Sequence, residues 1–398
     1  MRKLIALLLA LTFIFALAAC EKEAESSEPL PVPSSSEPAE PIPAKKVGVA
    51  MPTGSLKRWA QSGSEIKAQL EAAGYEVDLQ FGTDDGDPEI QLNQIEAMLS
   101  GDCEVLVIAP VYPQVVLNGV LAKAKAKGVS VIAYDRMILN SDALSYYVGF
   151  DSQAAGSLQG EFIADALDLE NAEGPFNIEL FSGYPFDSSN GVPCLFHRGL
   201  RKELQPYFDS GKLVVPSEEI TSEEISIEED WAGGLAMQRM EELIESQGYG
   251  PEGKKLDVVW CSTDASAIGV SDMMEYIGYT AGEKFPIITG SGCEIYNMKN
   301  IANGMQSMSL FLDRGELVSR TVTMVISILK GEKPEVNNTV DYDNGLGTKI
   351  PAYLCAPVVC TKENYRELLI DSGYYTENEL YEQFSTQITP NPFKPTTE

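Results

Sequence analysis

Histidine is almost missing from this chain: His197 is the only one in 398 residues, which removes the imidazole that most nucleophilic triads and zinc sites depend on. Positive charge is scarce as well. Against 59 Asp plus Glu stand 29 Lys plus Arg, and a formal net charge of -30 repels phosphate backbones and anionic headgroups, so nucleic acid is not expected as a partner. There is no Cys-x-x-Cys and no Walker motif, and the nearest approach to a dinucleotide loop, Gly290-Ser291-Gly292-Cys293-Glu294-Ile295, lacks the third glycine. Asp341-Tyr342-Asp343-Asn344-Gly345 glances at a calcium loop, but its glycine comes at the fifth position and no Glu at the twelfth, so it reads as a turn. These absences point away from catalysis, cofactors and metals.

Long apolar runs are also missing beyond the first twenty residues. There Arg2 and Lys3 precede the apolar stretch from Leu4 to Ala19, too short to span a bilayer comfortably, and Leu17-Ala18-Ala19-Cys20 closes it with small residues before a cysteine. This resembles a bacterial lipoprotein signal, which implies cleavage before Cys20, lipidation of its thiol, and a protein held at the outer face of the cytoplasmic membrane by the lipid alone. Residues 21–45 are rich in Glu, Ser and Pro without apolar periodicity, the composition of a solvated tether. Six further cysteines remain, read chiefly as small buried hydrophobes. Cys261 and Cys293, which both follow strands of the second half, are the pair singled out for contact.

From Val47 onward, short β-branched runs alternate with amphipathic stretches at helical period, which predicts an α/β fold with parallel sheets and crossover helices. The grammar starts afresh after Phe150, so two doubly wound, Rossmann-like lobes are expected. In an open α/β sheet the ligand lies outside the carboxyl ends of the strands. Polar and aromatic residues recur at those ends: Arg58 and Trp59 after the first strand, Asp135 and Arg136 after Val131-Ile132-Ala133-Tyr134, Asp187 and Asn190 after Phe181, Trp231 at a helix start, Thr263 and Asp264 after Cys261, and Ser291 after Thr289. Carboxylates and guanidinium forks suit the hydroxyls of a sugar, and a flat ring suits its C–H face. Each residue also has a plain structural alternative: Trp59 and Trp231 as packing, Asp135-Arg136 as an ion pair, Asp264 as a helix cap.

Taken together, Val47-Gly48-Val49-Ala50-Met51-Pro52-Thr53 with Arg58-Trp59, Val131 to Arg136, Gly174 to Phe181, Leu204-Gln-Pro-Tyr, Ser210 to Val215, Tyr342-Asp-Asn-Gly345 and Leu368 to Tyr375 resemble the periplasmic-binding-protein type I superfamily, and within it the multiple-monosaccharide-binding proteins of ABC transporters. The resemblance covers nearly all of residues 46–380. It implies two lobes joined by a three-crossing hinge, here 46–150 with 312–350 and 151–311 with 351–375, followed by a tail over 376–398. It further implies a monomer that captures a monosaccharide or related polyol and delivers it to an ABC permease, with the residues above, Ser291 included, gripping the ligand. Engagement of a chemoreceptor or sensor kinase by the closed form is the alternative reading. Two positions depart from the family pattern: Gly292 stands where a carboxylate is usual, and Leu312 where a lysine is. Both departures predict a less polar, larger or modified sugar.

Overall fold

A strand buried on both faces needs apolar residues at every position, and Val131 to Tyr134 are all buried, as a central parallel strand requires. The computed structural model describes residues 45–83, 87–111, 117–182, 194–227, 233–281 and 285–380. The first half runs β1 (Lys46–Met51), α1 (Lys57–Ala72), β2 (Glu76–Phe81), α2 (Pro88–Ser100), β3 (Cys103–Ile108), α3 (Asn118–Ala126), β4 (Ser130–Tyr134) and β5 (Leu144–Phe150). The second runs α4 (Ser152–Ala166), β6 (Phe176–Phe181), α5 (Leu195–Asp209), β7 (Leu213–Val214), α6 (Gly234–Gln247), β8 (Val258–Cys261), α7 (Asp264–Tyr276), β9 (Ile287–Ile288), α8 (Ile295–Asn303) and β10 (Ser309–Phe311). The chain then continues through α9 (Arg314–Lys330), β11 (Ala352–Cys355), β12 (Val358–Cys360) and a π-helical turn, Arg366–Asp371.

The strands form a six-stranded parallel sheet in the order β11-β5-β4-β3-β1-β2 and a four-stranded parallel sheet in the order β7-β6-β8-β9, with β10 and β12 paired antiparallel beside the latter's helices. Each large sheet is doubly wound with its first strand between its second and third. The α/β class and parallel sheets expected from the sequence are therefore present. Where that order reverses, the crossover helices diverge and leave a crevice at the carboxyl ends of the strands. Apolar clusters line both faces of each sheet, so the helices are held by burial and the strand ends are free to carry polar groups.

The chain passes between the sheets between Phe150 and Ser152, between Phe311 and Arg314, and between Cys355 and Val358. The last differs from the boundary expected at 350/351. β11 pairs in parallel with β5, Ala352 opposite Tyr147 through Cys355 opposite Phe150, so Ala352–Cys355 belongs to the first sheet and only β12 joins the second lobe. An apolar strand with no local partner fits either sheet, and only the long-range pairing decides. At this junction Asp151 donates to the carbonyl of Cys355 at 3.0 Å, and the Tyr342 hydroxyl donates to the carbonyl of Phe150 at 3.2 Å. The expected tail is likewise anchored at its start, since Leu380 is buried in a cluster with Cys293, Cys360 and Leu369.

α5 is placed by close helix contact. A Cβ at Gly199 would lie 2.0 Å from the carbonyl oxygen of Gln153, and one at Gly156 would lie 1.9 Å from that of Phe196, so α4 and α5 touch backbone to backbone. This contact carries Leu195 across to pack with Tyr342 in the first lobe's core, and Arg198 pairs with Asp341 at 2.8 Å.

The same helix carries His197, 6% exposed, whose Nδ1 lies 3.2 Å from the Ser222 hydroxyl and whose Nε2 has no hydrogen-bond partner among the described residues. Burial, helped by Arg201, lowers its pKa to about 4. The folded state therefore holds His197 neutral while the unfolded chain protonates it near 6.5, so its contribution is full above about pH 6.5 and is lost as pH falls towards 4. Urea denaturation at pH 7 and pH 4.5 is expected to show roughly 2–3 kcal/mol more acid destabilisation in the natural protein than in His197→Gln. An identical acid loss in both would mean that the imidazole is charged in place.

Candidate functional site

One cleft of about 800 Å³ lies between the sheets and is lined from both sides. From the first lobe come Arg58, Asp135 and Arg136 with Met137, Leu139 and Phe150; from the second come Ser182, Phe196, Thr263, Asp264, Ser291 and Glu294. Apart from Phe150, which ends β5, and Phe196, on α5, the polar ones among them follow β1, β4, β6, β8 and β9, and six of the residues expected from the sequence come to one place. Asp187, Asn190 and Trp231 lie outside the described residues, as does Cys20.

Asp135 turns the chain at the end of β4 with a left-handed φ of 61°, which an Asp tolerates better than most side chains. Its amide donates to the carbonyl of Val148 at 2.8 Å, and its own carbonyl accepts the Tyr147 hydroxyl at 3.0 Å, so the strained backbone is held from β5. The carboxylate is half-buried within electrostatic range of Arg58 and Arg314. Burial and the nearby Arg314 charge lower the Arg58 pKa to about 10, with Asp135 acting in the opposite direction. Arg136 donates through Nη1 to the carbonyls of Val111 at 2.5 Å and Pro110 at 3.3 Å, which fixes its fork at the end of β3.

Trp59 does not line the cleft. It is 2% exposed and packs in the core with Val47, Met51 and Val318, while the guanidiniums of Arg58 and Arg136 lie over its ring at 4.8 Å and 5.2 Å from the centroid. Helix geometry is the reason. The buried face of α1 is Trp59, Ser62, Gly63, Ile66 and Leu70, and Arg58, one residue earlier, points about 100° away. The indole thus supports two guanidiniums from below. Rings that do line the cleft include Tyr147, Tyr342, Tyr374 and Tyr375.

On the second lobe Thr263 caps α7, its hydroxyl accepting the amide of Ser266 at 3.3 Å, so the cap is Thr263 and Asp264 is the first helical residue. Asp264 reaches the cleft wall but is 1% exposed, and its oxygens accept from the Glu294 amide at 2.9 Å, the Ser309 hydroxyl at 2.8 Å and the Gln306 amide at 3.1 Å. Burial outweighs these donors and pushes its pKa up to about 7. Most of its acceptor capacity thus goes to protein donors, joining the loop over residues 290–294 through Glu294 to Gln306 and Ser309. Gly290 is required there, because a Cβ would fall 2.1 Å from Asp264 Oδ1. Of the two cysteines singled out in the second half, Cys261 has Asp264 and Arg239 as its charged neighbours, and Cys293 has the thiol of Cys360.

Sequence reasoning missed Arg314, Glu294, Tyr342, Tyr374 and Tyr375, all in the cleft wall. Arg314 starts α9 just after β10; its guanidinium lies 3.8 Å from Glu294 and its Nε donates to the Tyr374 hydroxyl at 3.1 Å. A signal for it existed, since Asp313 and Glu316 mark a helix start immediately after a strand, and Asp313 indeed accepts the amides of Gly315 and Glu316. A cation absent at Leu312 is thus present two residues on, and a carboxylate absent at Gly292 is present at Glu294.

The model of a periplasmic binding protein domain matches residues 47–333. The chain is 41% identical over 335 residues to the multiple sugar-binding periplasmic receptor ChvE of Rhizobium radiobacter, covering 84% of this chain and 92% of that one. It is 30% identical over 335 residues to the D-xylose-binding periplasmic protein of Escherichia coli, with the same coverage of 84% and 92%. Among solved structures, an ABC transporter solute-binding protein from Clostridium phytofermentans with bound β-D-glucose is 48% identical, with a TM-score of 0.73 over 84% of this chain and 100% of that one.

Proposed function

The chain belongs to the periplasmic binding protein domain family, and on that premise we propose that it captures a monosaccharide between its two lobes outside the cytoplasm and hands it to an ABC importer without transforming it. The observation that carries this reading is the convergence of strand ends from two sheets on one cleft, with guanidiniums and carboxylates set among aromatic and aliphatic walls. Sugar hydroxyls both donate and accept, so alternating forks and carboxylates satisfy them while the rings cover the C–H face. We assign ligand contact to Arg58, Asp135, Arg136 and Arg314, with Thr263, Ser291 and Glu294 approaching from the second lobe. The relatives named above bind D-xylose and β-D-glucose, which puts pyranoses first among the ligands to try. Closure of the lobes on the sugar is the state the permease reads. In the same reading Cys20 is lipidated, residues 21–45 are the leash, and the protein acts as a monomer.

A thermal-shift screen against D-glucose, D-xylose, L-arabinose, sugar acids, amino sugars and furanoses tests this. A ligand specific to the folded state, present at 100 times its dissociation constant, adds about 2.7 kcal/mol, an increase of several degrees in Tm. A flat response across the panel from a protein with normal secondary structure would refute the assignment to sugars.

A further inference from the structure

The loop over residues 290–294 reaches the cleft wall from one side and the C-terminal strand from the other. Cys293, in its middle, is fully buried with a left-handed φ of 49°, and its amide donates to the Ser309 hydroxyl at 3.1 Å. Ser309 lies directly opposite Cys360 in the antiparallel pair of β10 and β12. Side chains of directly opposed residues leave the same face with their Cβ atoms about 5 Å apart, so Cys360 points to where Ser309 meets Cys293. Both cysteines are 0% exposed and share one apolar cluster with Phe311, Leu369 and Leu380, and the Cys360 thiol is near enough to the Cys293 thiol to raise its pKa.

We propose that Cys293 and Cys360 are a disulfide-forming pair, oxidised outside the cytoplasm by a small-molecule disulfide or a thiol-disulfide oxidoreductase. In the step two thiols lose two protons and two electrons, one S–S bond forms, and the oxidant's disulfide is cleaved to two thiols. The bond closes a loop of roughly 70 residues. It ties the cleft-wall segment bearing Ser291 and Glu294 to the strand that leaves the third crossing, and it braces Tyr375, whose hydroxyl donates to the carbonyl of Cys293 at 3.1 Å. Burial pushes the Cys293 thiol well up, and the thiolate is the reactive form, so the bond is made while the chain is folding.

The test needs no ligand, and its outcome is therefore separate from the sugar reading. The whole protein is refolded with glutathione disulfide, its remaining thiols are alkylated, and unreduced peptides are mapped by mass spectrometry. The expected result is one dominant linkage, Cys293 to Cys360, and a Tm roughly 5 °C above that of the reduced protein. This difference should vanish in Cys360→Ala. Alkylation of both residues, linkage to other cysteines, or equal melting temperatures for the oxidised and reduced protein would each overturn the proposal. The comparison of oxidised with reduced natural protein keeps the test decisive should the variant fail to fold.

Discussion

Asp135→Asn is expected to weaken sugar binding by about 100-fold or more while the protein stays folded. Asn keeps the size of the side chain and tolerates the left-handed backbone that Asp135 adopts, so the turn after β4 should survive. What is lost is a carboxylate whose charge both Arg58 and Arg314 feel. Truncating one partner of a desolvated charge pair costs about 2–5 kcal/mol, and about 2.7 kcal/mol already corresponds to a factor of 100 in Kd. Titration calorimetry with the sugar identified by the thermal screen, alongside far-ultraviolet circular dichroism, would measure both halves of the expectation. An unchanged Kd would remove Asp135 from the ligand contacts.

The second large effect is expected in stability. Trp59→Ala should lower the free energy of unfolding by about 3–5 kcal/mol, because it empties the space of a large ring packed among Val47, Met51 and Val318. It also removes the surface against which Arg58 and Arg136 rest. Trp59→Phe keeps much of that packing and should leave Kd for the sugar within about threefold. Urea midpoints for both variants, with calorimetry on the second, separate support from contact. A Trp59→Ala protein that kept its midpoint and lost only binding would put the indole against the ligand after all.

Trp59 and Arg314 show where reading the chain residue by residue reaches its end. Trp59 has the chemistry of a ring that covers a sugar face, yet its spacing to Ile66 and Leu70 on α1 places it on the buried stripe. Leu312 pointed to a lost cation, yet Arg314 enters the same cleft from the first turn of α9. Asp264 illustrates a third case. It stands at the strand end where a ligand group was expected, but three protein donors occupy its oxygens.

Taken alone, the amino-acid order determined the α/β class, the restart after Phe150 and the strand ends that carry polar side chains. All three depend on local periodicity, because side chains alternate along a strand and recur every 3.6 residues along a helix. Tertiary structure alone decided that β11 closes the first sheet while β12 joins the second, that the indole of Trp59 lies beneath the cleft, and that the thiol beside Cys293 is that of Cys360. Those outcomes turn on pairings between residues far apart in the chain, and no local pattern encodes which distant partner a strand, ring or thiol will meet.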